Sequence, residues 1–341
     1  MTTRRDILRY AAAAGALGLA GAPGRLRAAE TLTGVTYLPQ SYTALSYGSN
    51  GFVERLDASD AVAVDFYDSG KLLKADEQLP ALRDGAIDFM FHTTSYVTRS
   101  IPILGITGLP NVVDALYRNP DRLAAGSPLF ELINAELAKQ DLHCLSLGGG
   151  ILEPEYVWST ESAPIRSVAD IEGKKIRVVS FEATGALQKL GAAAVRIPSS
   201  ELYLALQRGT VDAAVANIST INGRSLQEQL AYVYKLPVTA YGIGVFVTPR
   251  RWERMADDAK AAVTAAAAWF DENNASYANG TIYDTEFWPK MREAGIEEID
   301  AAPESQAALD AAAEEVVAEW TEQVGEETGR RAIALALGEE A

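Results

Sequence analysis

The stretch Asp170-Ile-Glu-Gly-Lys-Lys-Ile-Arg-Val-Val179 places one arginine, Arg177, inside a short apolar run that predicts a β-strand. Downstream, Pro198-Ser-Ser-Glu-Leu-Tyr-Leu-Ala-Leu-Gln-Arg-Gly-Thr-Val-Asp212 predicts a helix that stops at a glycine, followed by a second short strand. A guanidinium keeps its proton, and its planar fork matches a carboxylate with two parallel hydrogen bonds. Together the two stretches predict a rigid α/β scaffold that offers one fixed cation to a small anionic ligand.

Strand-like and helix-like stretches alternate along the chain, which predicts an α/β fold. The predicted strands cover residues 31–37, 61–67, 87–91, 176–179, 211–216 and 245–247. The predicted helices cover residues 50–56, 75–83 and the alanine-rich 251–283, with one or two more in the tail between 303 and 337. The sequence leaves open whether 251–283 forms one long helix or two.

Two segments repeat the pattern Ala-Leu-x-x-Gly-x-(Ile/Val)-Asp, at residues 81–88 and 205–212. In each, a helix would end at a glycine in the left-handed conformation and a short strand would follow. The repeat indicates two domains built on similar plans, with chance recurrence of a common joint as the alternative. Gly148-Gly-Gly150 and Pro154 mark the expected crossing between them. We therefore predict one domain from 30–153 with about 243–275, and a second from 154–242 with about 276–341.

The first segment of the chain reads as an export signal. Thr3-Arg-Arg-Asp-Ile-Leu-Arg9 is basic, and the following run from Tyr10 to Ala22 is short, apolar and rich in Ala and Gly. This pattern predicts a secretory signal over residues 1–29, and the paired arginines resemble a twin-arginine signal. A disordered basic tail is the alternative. The prediction places the mature protein in a bacterial periplasm, free or anchored by an uncleaved signal.

Composition excludes several classes of function. The formal net charge is −16, and such a surface repels nucleic acid and anionic membrane. The single cysteine, Cys144, rules out an intramolecular disulfide, and two histidines give a zinc site or a catalytic triad little to work with. The sequence lacks a G-x-S-x-G elbow, a P-loop and a G-x-G-x-x-G segment. We predict no catalysis, no cofactor and no metal-ligating residues, and the sequence leaves open whether a metal ion assists binding. Carboxylates such as Glu153 and Glu155 are too common here to indicate an acid–base pair.

Candidate ligand contacts follow from their positions at predicted strand ends and joints, because ligands of open α/β sheets sit beyond the carboxyl ends of the strands. Arg177 leads, and a structural ion pair with a carboxylate is the alternative for it. For each tyrosine, ordinary packing is the alternative. The remaining candidates are Tyr37, Tyr42, Tyr67, Ser95, Tyr96, Tyr156, Trp158, Phe181, Glu182 and Asn217.

The segments 170–178 and 197–212, with Leu190-Gly-Ala192, resemble the DctP-type substrate-binding proteins of TRAP transporters. Segments 69–88 and 109–110 are similar to the first domain of that family. The resemblance implies a two-domain clamshell of the type II periplasmic-binding-protein kind, with a hinge and a long helix that bridges the domains. It also implies capture of a small organic acid and delivery to a permease of large and small membrane subunits.

The resemblance assigns the ligand carboxylate to Arg177. A second arginine of some members falls near Val157 and is absent, a ligand-side asparagine falls near Ala216 or Asn217, and a polar pocket residue falls near Thr93. These departures favour a more apolar monocarboxylate. A receptor for an ATP-driven importer, a periplasmic enzyme and an adhesion protein are the alternatives, and the sequence leaves open a monomer or a homodimer.

Overall fold

The structure is a computed structural model that describes residues 29–339; the predicted export signal, apart from its last residue, lies outside them. The strands are β1 Glu30–Thr36, β2 Val62–Tyr67, β3 Phe89–Thr93, β4 His143–Ser146, β5 Ile151–Ser159, β6 Lys175–Val178, β7 Ala193–Arg196, β8 Ala213–Ala216, β9 Tyr232–Val247 and β10 Glu297–Asp300. Helices alternate with them, which confirms the α/β prediction.

Most of the helices connect one strand to the next, and the longest ones lie in the C-terminal third of the chain. The helices up to residue 254 are α1 Thr43–Asp57, α2 Ala75–Asp84, α3 Pro110–Arg118, α4 Pro128–Ala138, α5 Phe181–Lys189, α6 Leu202–Gln207, α7 Ile218–Gly223 and α8 Pro249–Arg254. The long helix α9 is α-helical over Asp257–Tyr277, π-helical over Ala278–Phe287 and α-helical again over Trp288–Glu293. The tail forms α10 Pro303–Val324 and α11 Glu326–Leu337.

The strands form two half-sheets with the same plan. In the first half-sheet, β1 pairs in parallel with β2 and β3, and β3 pairs with the antiparallel strand β9. In the second half-sheet, β6 pairs in parallel with β7 and β8, and β8 pairs with the antiparallel strand β5. β5 and β9 also pair with each other, so two long strands join the half-sheets. This is the geometry expected of a hinge between two lobes.

The repeated sequence pattern forms the same joint twice. The backbone N–H of Thr33 donates to Asp88 Oδ2 at 2.7 Å, and the N–H of Asp88 donates back to the Thr33 carbonyl at 2.8 Å. In the second half-sheet, the N–H of Lys175 donates to Asp212 Oδ2 at 2.8 Å, and the N–H of Asp212 donates to the Lys175 carbonyl at 2.8 Å. Each aspartate therefore ties the start of its strand to the central strand of its half-sheet.

The long helix α9 contacts both half-sheets. Near its start, the ring of Phe270 lies 5.5 Å from that of Phe91 on β3. Near its end, Trp288 stacks on Trp158 of β5 at 5.6 Å and donates its indole N–H to Glu153 Oε2 at 3.1 Å. The prediction of a helix over 251–283 is right in kind, but the helix starts at Asp257 after a break and runs to Glu293. α9 thus bridges the two lobes.

The C-terminal helices also touch both halves. α10 packs on α5 and contacts α3, and its Trp320 donates to the Pro102 carbonyl at 2.7 Å. α11, which the predicted division assigns to the second domain, packs on α3 and α4, where Arg122 donates to the Ala336 carbonyl at 2.6 Å. The domain boundaries themselves stay a prediction.

A matched pair of glycine substitutions tests the joint. Gly209 has φ +65° with nothing near its missing Cβ, whereas Gly280 lies in α9 at an ordinary helical φ with equally open space. Because left-handed backbone is costly for L-residues, Gly209→Ala should lower the free energy of unfolding by about 1–2 kcal/mol. Gly280→Ala should raise it by up to about 1 kcal/mol, since alanine is the better helix former. Urea unfolding measures both, and equal shifts of the same sign would contradict the assigned joint.

Candidate ligand-binding site

The carboxyl ends of the parallel strands of both half-sheets meet at one cleft. Tyr37 follows β1, Tyr96 follows β3, Ile197 follows β7 and Asn217 follows β8. Tyr37 and Tyr96 from the first half-sheet face segment 198–201 and Arg224 from the second, across a cavity of about 330 Å³. The cleft is therefore where a small ligand would lie in such a fold.

Arg177 bonds the backbone of Ile197, the residue that precedes the cavity-lining segment 198–201, and is only 2% exposed. Its Nε donates to the Ile197 carbonyl at 2.8 Å, and its Nη1 donates to the Val215 carbonyl at 3.0 Å. These bonds fix the plane of the guanidinium, while Nη2 makes no hydrogen bond to residues 29–339. Within the described part of the chain, Arg177 forms no ion pair with a carboxylate. The side chain is a held cation with free donors.

Glu155 on β5 is the second ionisable group of the site. It is 3% exposed, and its Oε2 is fully enclosed without a hydrogen-bond partner among residues 29–339. Burial raises the pKa of Glu155 to about 8, while the positive charge of Arg177 acts in the opposite direction. Glu155 also contributes to the raised pKa of Tyr37 and of Tyr241, although burial is the main cause for both. Sequence reasoning missed its role.

Tyrosines line the other side of the site. The Tyr37 hydroxyl bonds the hydroxyl of Thr93 at 2.5 Å, and its ring lies 4.9 Å from that of Tyr96. Tyr42 is buried, and its hydroxyl accepts from Nε of Arg224 at 3.1 Å. Tyr37, Tyr42 and Tyr96, three of the sequence-predicted contacts, therefore lie together at the cleft, as does Thr93.

Hydrogen bonds close the cleft from one half to the other. The N–H of Ser199 donates to the Tyr96 hydroxyl at 2.9 Å, and the Thr98 hydroxyl donates to Glu182 Oε2 at 3.0 Å. Three further bonds are Ser41 Oγ to the Gly223 carbonyl, Arg224 Nε to the Tyr42 hydroxyl, and Arg196 Nη2 to the Tyr96 carbonyl. The two lobes are in contact, which is the closed arrangement of a hinged fold.

Asn217 lies at the cleft, but its amide is used within the protein. Its Oδ1 accepts from the Ser219 N–H at 2.8 Å and from the Tyr283 hydroxyl at 3.0 Å, while its Nδ2 donates to the Glu153 carbonyl at 2.6 Å. Asn217 therefore caps α7 and links β5, β8 and α9.

Four other candidates, Phe181, Glu182, Trp158 and Tyr156, do not line the cavity between the half-sheets. Phe181 is 53% exposed and lines a separate cavity with α10, where Glu182 is buried beside it. Trp158 is fully buried and donates to the Ala216 carbonyl at 2.9 Å. Tyr156 faces α9, with its ring 6.4 Å from that of Trp288.

The last two candidates differ in burial. Tyr67, at the end of edge strand β2, is 40% exposed. Ser95 is buried next to Tyr96. Neither lines the cavity between the two half-sheets.

Within residues 29–339, no group of three or more His, Cys, Asp or Glu side chains is arranged to hold a metal ion. No helix in that range is both long enough and apolar enough to cross a membrane.

The sequence profile described as "Bacterial extracellular solute-binding protein, family 7", or DctP, matches residues 41–323. This match covers most of the chain, so the chain belongs to that family, which consists of binding proteins rather than enzymes. The resemblance noted from segments 170–178 and 197–212 is thereby confirmed.

The individual relatives share less than 30% sequence identity with this chain. A solute-binding protein of Albidiferax ferrireducens is 28% identical over 173 residues, which cover 49% of this chain and 48% of that protein. The C4-dicarboxylate-binding periplasmic protein DctP of Rhodobacter capsulatus is 26% identical over 278 residues, 79% of each chain. The chain thus spans about half the length of the first relatives it matches.

A solved structure supports the fold. The Bordetella pertussis solute receptor DctP6, which binds pyroglutamic acid, superposes with a TM-score of 0.80 at 17% identity, covering 91% of this chain and 100% of that one. The two-lobed clamshell with a bridging helix is thereby confirmed as the fold.

Glu155 predicts a pH dependence of stability. The folded protein keeps this proton up to about pH 8, whereas a carboxyl with the ordinary pKa of 4.5 loses it earlier in the unfolded chain. The free energy of unfolding should therefore fall as pH rises from 5 to 8, by up to roughly 3–4 kcal/mol from this group.

Glu155→Gln, which mimics the neutral acid, should flatten this fall in urea unfolding measured at pH 5 and pH 8. Glu153, whose pKa burial raises to about 7, contributes in the same direction in both proteins and cancels in the difference. The exposed Glu161→Gln is the control and should follow the parent. Identical pH slopes for Glu155→Gln and the parent would contradict a buried, unpartnered carboxyl.

Proposed function

We propose that this protein captures a small organic acid in the cleft and delivers it to the membrane subunits of a TRAP transporter. The observation that carries the proposal is the Arg177 guanidinium, which is buried, fixed by two backbone carbonyls and free of any carboxylate partner in residues 29–339. A buried cation without a counter-charge is costly, and a ligand carboxylate would supply the missing partner.

Family membership supports the same ligand class. Relatives that bear the names of a C4-dicarboxylate-binding protein and a pyroglutamic acid receptor bind acids, and this chain retains an arginine where an acid can be gripped. Arg177 would hold the carboxylate with its free Nη2, and Tyr37 and Tyr96 would cover the ligand from the opposite lobe. In this proposal Tyr42 and Asn217 shape the cleft rather than touch the ligand.

Closure is the proposed working motion. The hydrogen bonds from Ser199 to Tyr96 and from Arg224 to Tyr42 form only when the lobes meet. A ligand that touches both lobes binds the closed form more tightly, so it shifts the open–closed equilibrium toward closure. The closed lobes would then present a defined surface to the permease.

Binding to acids should depend on Arg177. We expect Arg177→Met to weaken the binding of any acid found in a thermal-shift screen of carboxylic acids by roughly 30- to 4,000-fold, the cost of truncating one partner of a buried charge pair. Titration calorimetry measures the change. Arg330→Met, which removes an exposed arginine on α11, is the control and should bind as the parent does. Unchanged affinity in Arg177→Met, with its melting temperature preserved, would refute the assigned site.

Export should depend on the paired arginines. We propose that Arg4 and Arg5 direct the folded protein through the twin-arginine route. Replacing both with lysine should leave the protein in the cytoplasm, whereas Arg9→Lys should not, as measured by fractionation of the producing cells. Normal periplasmic accumulation of the double variant would show that another route exports the protein.

A further inference from the structure

We infer that the ligand carries a nitrogen-bound hydrogen as well as a carboxylate, and that Glu155 accepts a hydrogen bond from that N–H while Arg177 holds the acid. This inference rests on the function proposed above and narrows its ligand to amino-acid-like compounds, whether the nitrogen is an ammonium group or a ring amide.

Glu155 is a buried side chain with a hydrogen-bond acceptor that has no donor. It is 3% exposed, and its Oε2 is enclosed without a hydrogen-bond partner in residues 29–339. Buried polar groups of folded proteins nearly always have partners, so an unsatisfied one calls for a ligand or another explanation. A carboxyl oxygen at this point can accept a hydrogen bond from a donor, whether or not the group carries its proton.

The residue opposite Glu155 on the neighbouring strand also has a buried polar atom without a hydrogen bond. Thr239 on β9 is the register partner of Glu155 on β5, and its Oγ1 is also fully buried without a hydrogen-bond partner. The backbone is irregular here, because the β5–β9 register shifts on both sides of Glu155. Such bulges often re-aim a side chain beside a site. Two polar side chains without hydrogen-bond partners at one register position indicate a place where a polar ligand group could bind.

The other polar groups around the cleft leave Glu155 Oε2 without a hydrogen bond in this arrangement. The Tyr37 hydroxyl is bonded to Thr93, and the Tyr42 hydroxyl accepts from Arg224. Nη1 and Nε of Arg177 are held by backbone carbonyls. The site therefore offers one positive group and one carboxyl group, neither of them neutralised by a hydrogen-bonded partner.

A ligand with matching ends satisfies both groups at once. A plain monocarboxylate would occupy Arg177 and leave Glu155 unpaired, and the second carboxylate of a dicarboxylate would offer Glu155 no N–H donor. A compound with a carboxylate and a nearby N–H fills both positions. Because a site built to bond a polar group rejects the analogue that lacks it, the N–H should set specificity.

Matched ligand pairs test the inference. L-pyroglutamate is compared with its lactone analogue, in which oxygen replaces the ring N–H, and L-proline is compared with cyclopentanecarboxylate. The first pair reports a ring amide and the second an ammonium group. Titration calorimetry on the wild-type protein should show at least one donor-bearing compound binding roughly 10- to 100-fold more tightly than its donor-free partner, the fold-change expected when a buried acceptor is left unpaired.

Two variants assign the preference to Glu155. Glu155→Met removes the acceptor and should erase the difference in affinity within the pair. Glu155→Gln keeps a carbonyl acceptor and should retain part of the preference. The wild-type comparison is decisive by itself if Glu155→Met does not fold.

The outcomes separate this inference from the proposed function. Equal affinities within both pairs, binding only of donor-free acids, binding of neither class, or a preference that survives in Glu155→Met would each overturn the inference. Acid binding that is lost in Arg177→Met would still uphold the proposed function in those cases. Acid binding indifferent to Arg177 would overturn both.

Discussion

A buried guanidinium without a carboxylate partner is the constraint on which the rest of the structure depends. Arg177 gains two hydrogen bonds from the carbonyls of Ile197 and Val215, which hold the group in place but do not cancel its charge. An ion removed from water costs several kcal/mol even after the protein relaxes. A ligand carboxylate would offset this free-energy cost by pairing with the buried charge. The cost destabilises the empty closed form and therefore favours binding of the ligand.

The two half-sheets explain how the site can open. Each half-sheet brings the carboxyl ends of its parallel strands to the cleft, and Arg177 bonds the carbonyl of Ile197 beside the segment 198–201 that lines it. β5 and β9 run through both halves, and α9 is anchored to β3 by Phe270 and to β5 by Trp288. In the proposed closure, the lobes would rotate about these shared connections and bring Tyr37 and Tyr96 toward a ligand held by Arg177.

Sequence predicted the fold where the signals are local. Gly85 and Gly209 end helices, and Asp88 and Asp212 follow at a fixed spacing, so both joints could be identified before the structure was known. The start of β9 at Tyr232 could not be predicted from the sequence, because Pro237, Gly242 and Gly244 interrupt the strand pattern. Its extended form depends on pairing with β5, β3 and β10, which lie far away in sequence.

The site was predictable in part for the same reason. Arg177, Tyr37 and Tyr96 follow from strand ends, which a sequence locates. The hydrogen bonds of Asn217 with Tyr283 and Glu153 could not be predicted in this way, because those partners lie more than 60 residues away in either direction. Glu155 is one of 46 acidic residues, and only the structure shows that it is enclosed and unpaired.

A crystal structure of the protein loaded with its tightest acid would test the central claim most directly. The account predicts the ligand carboxylate within hydrogen-bond distance of Arg177 Nη2, under Tyr37 and Tyr96, with the lobes in contact. A ligand bound elsewhere, with the Arg177 guanidinium held only by the carbonyls of Ile197 and Val215, would contradict it.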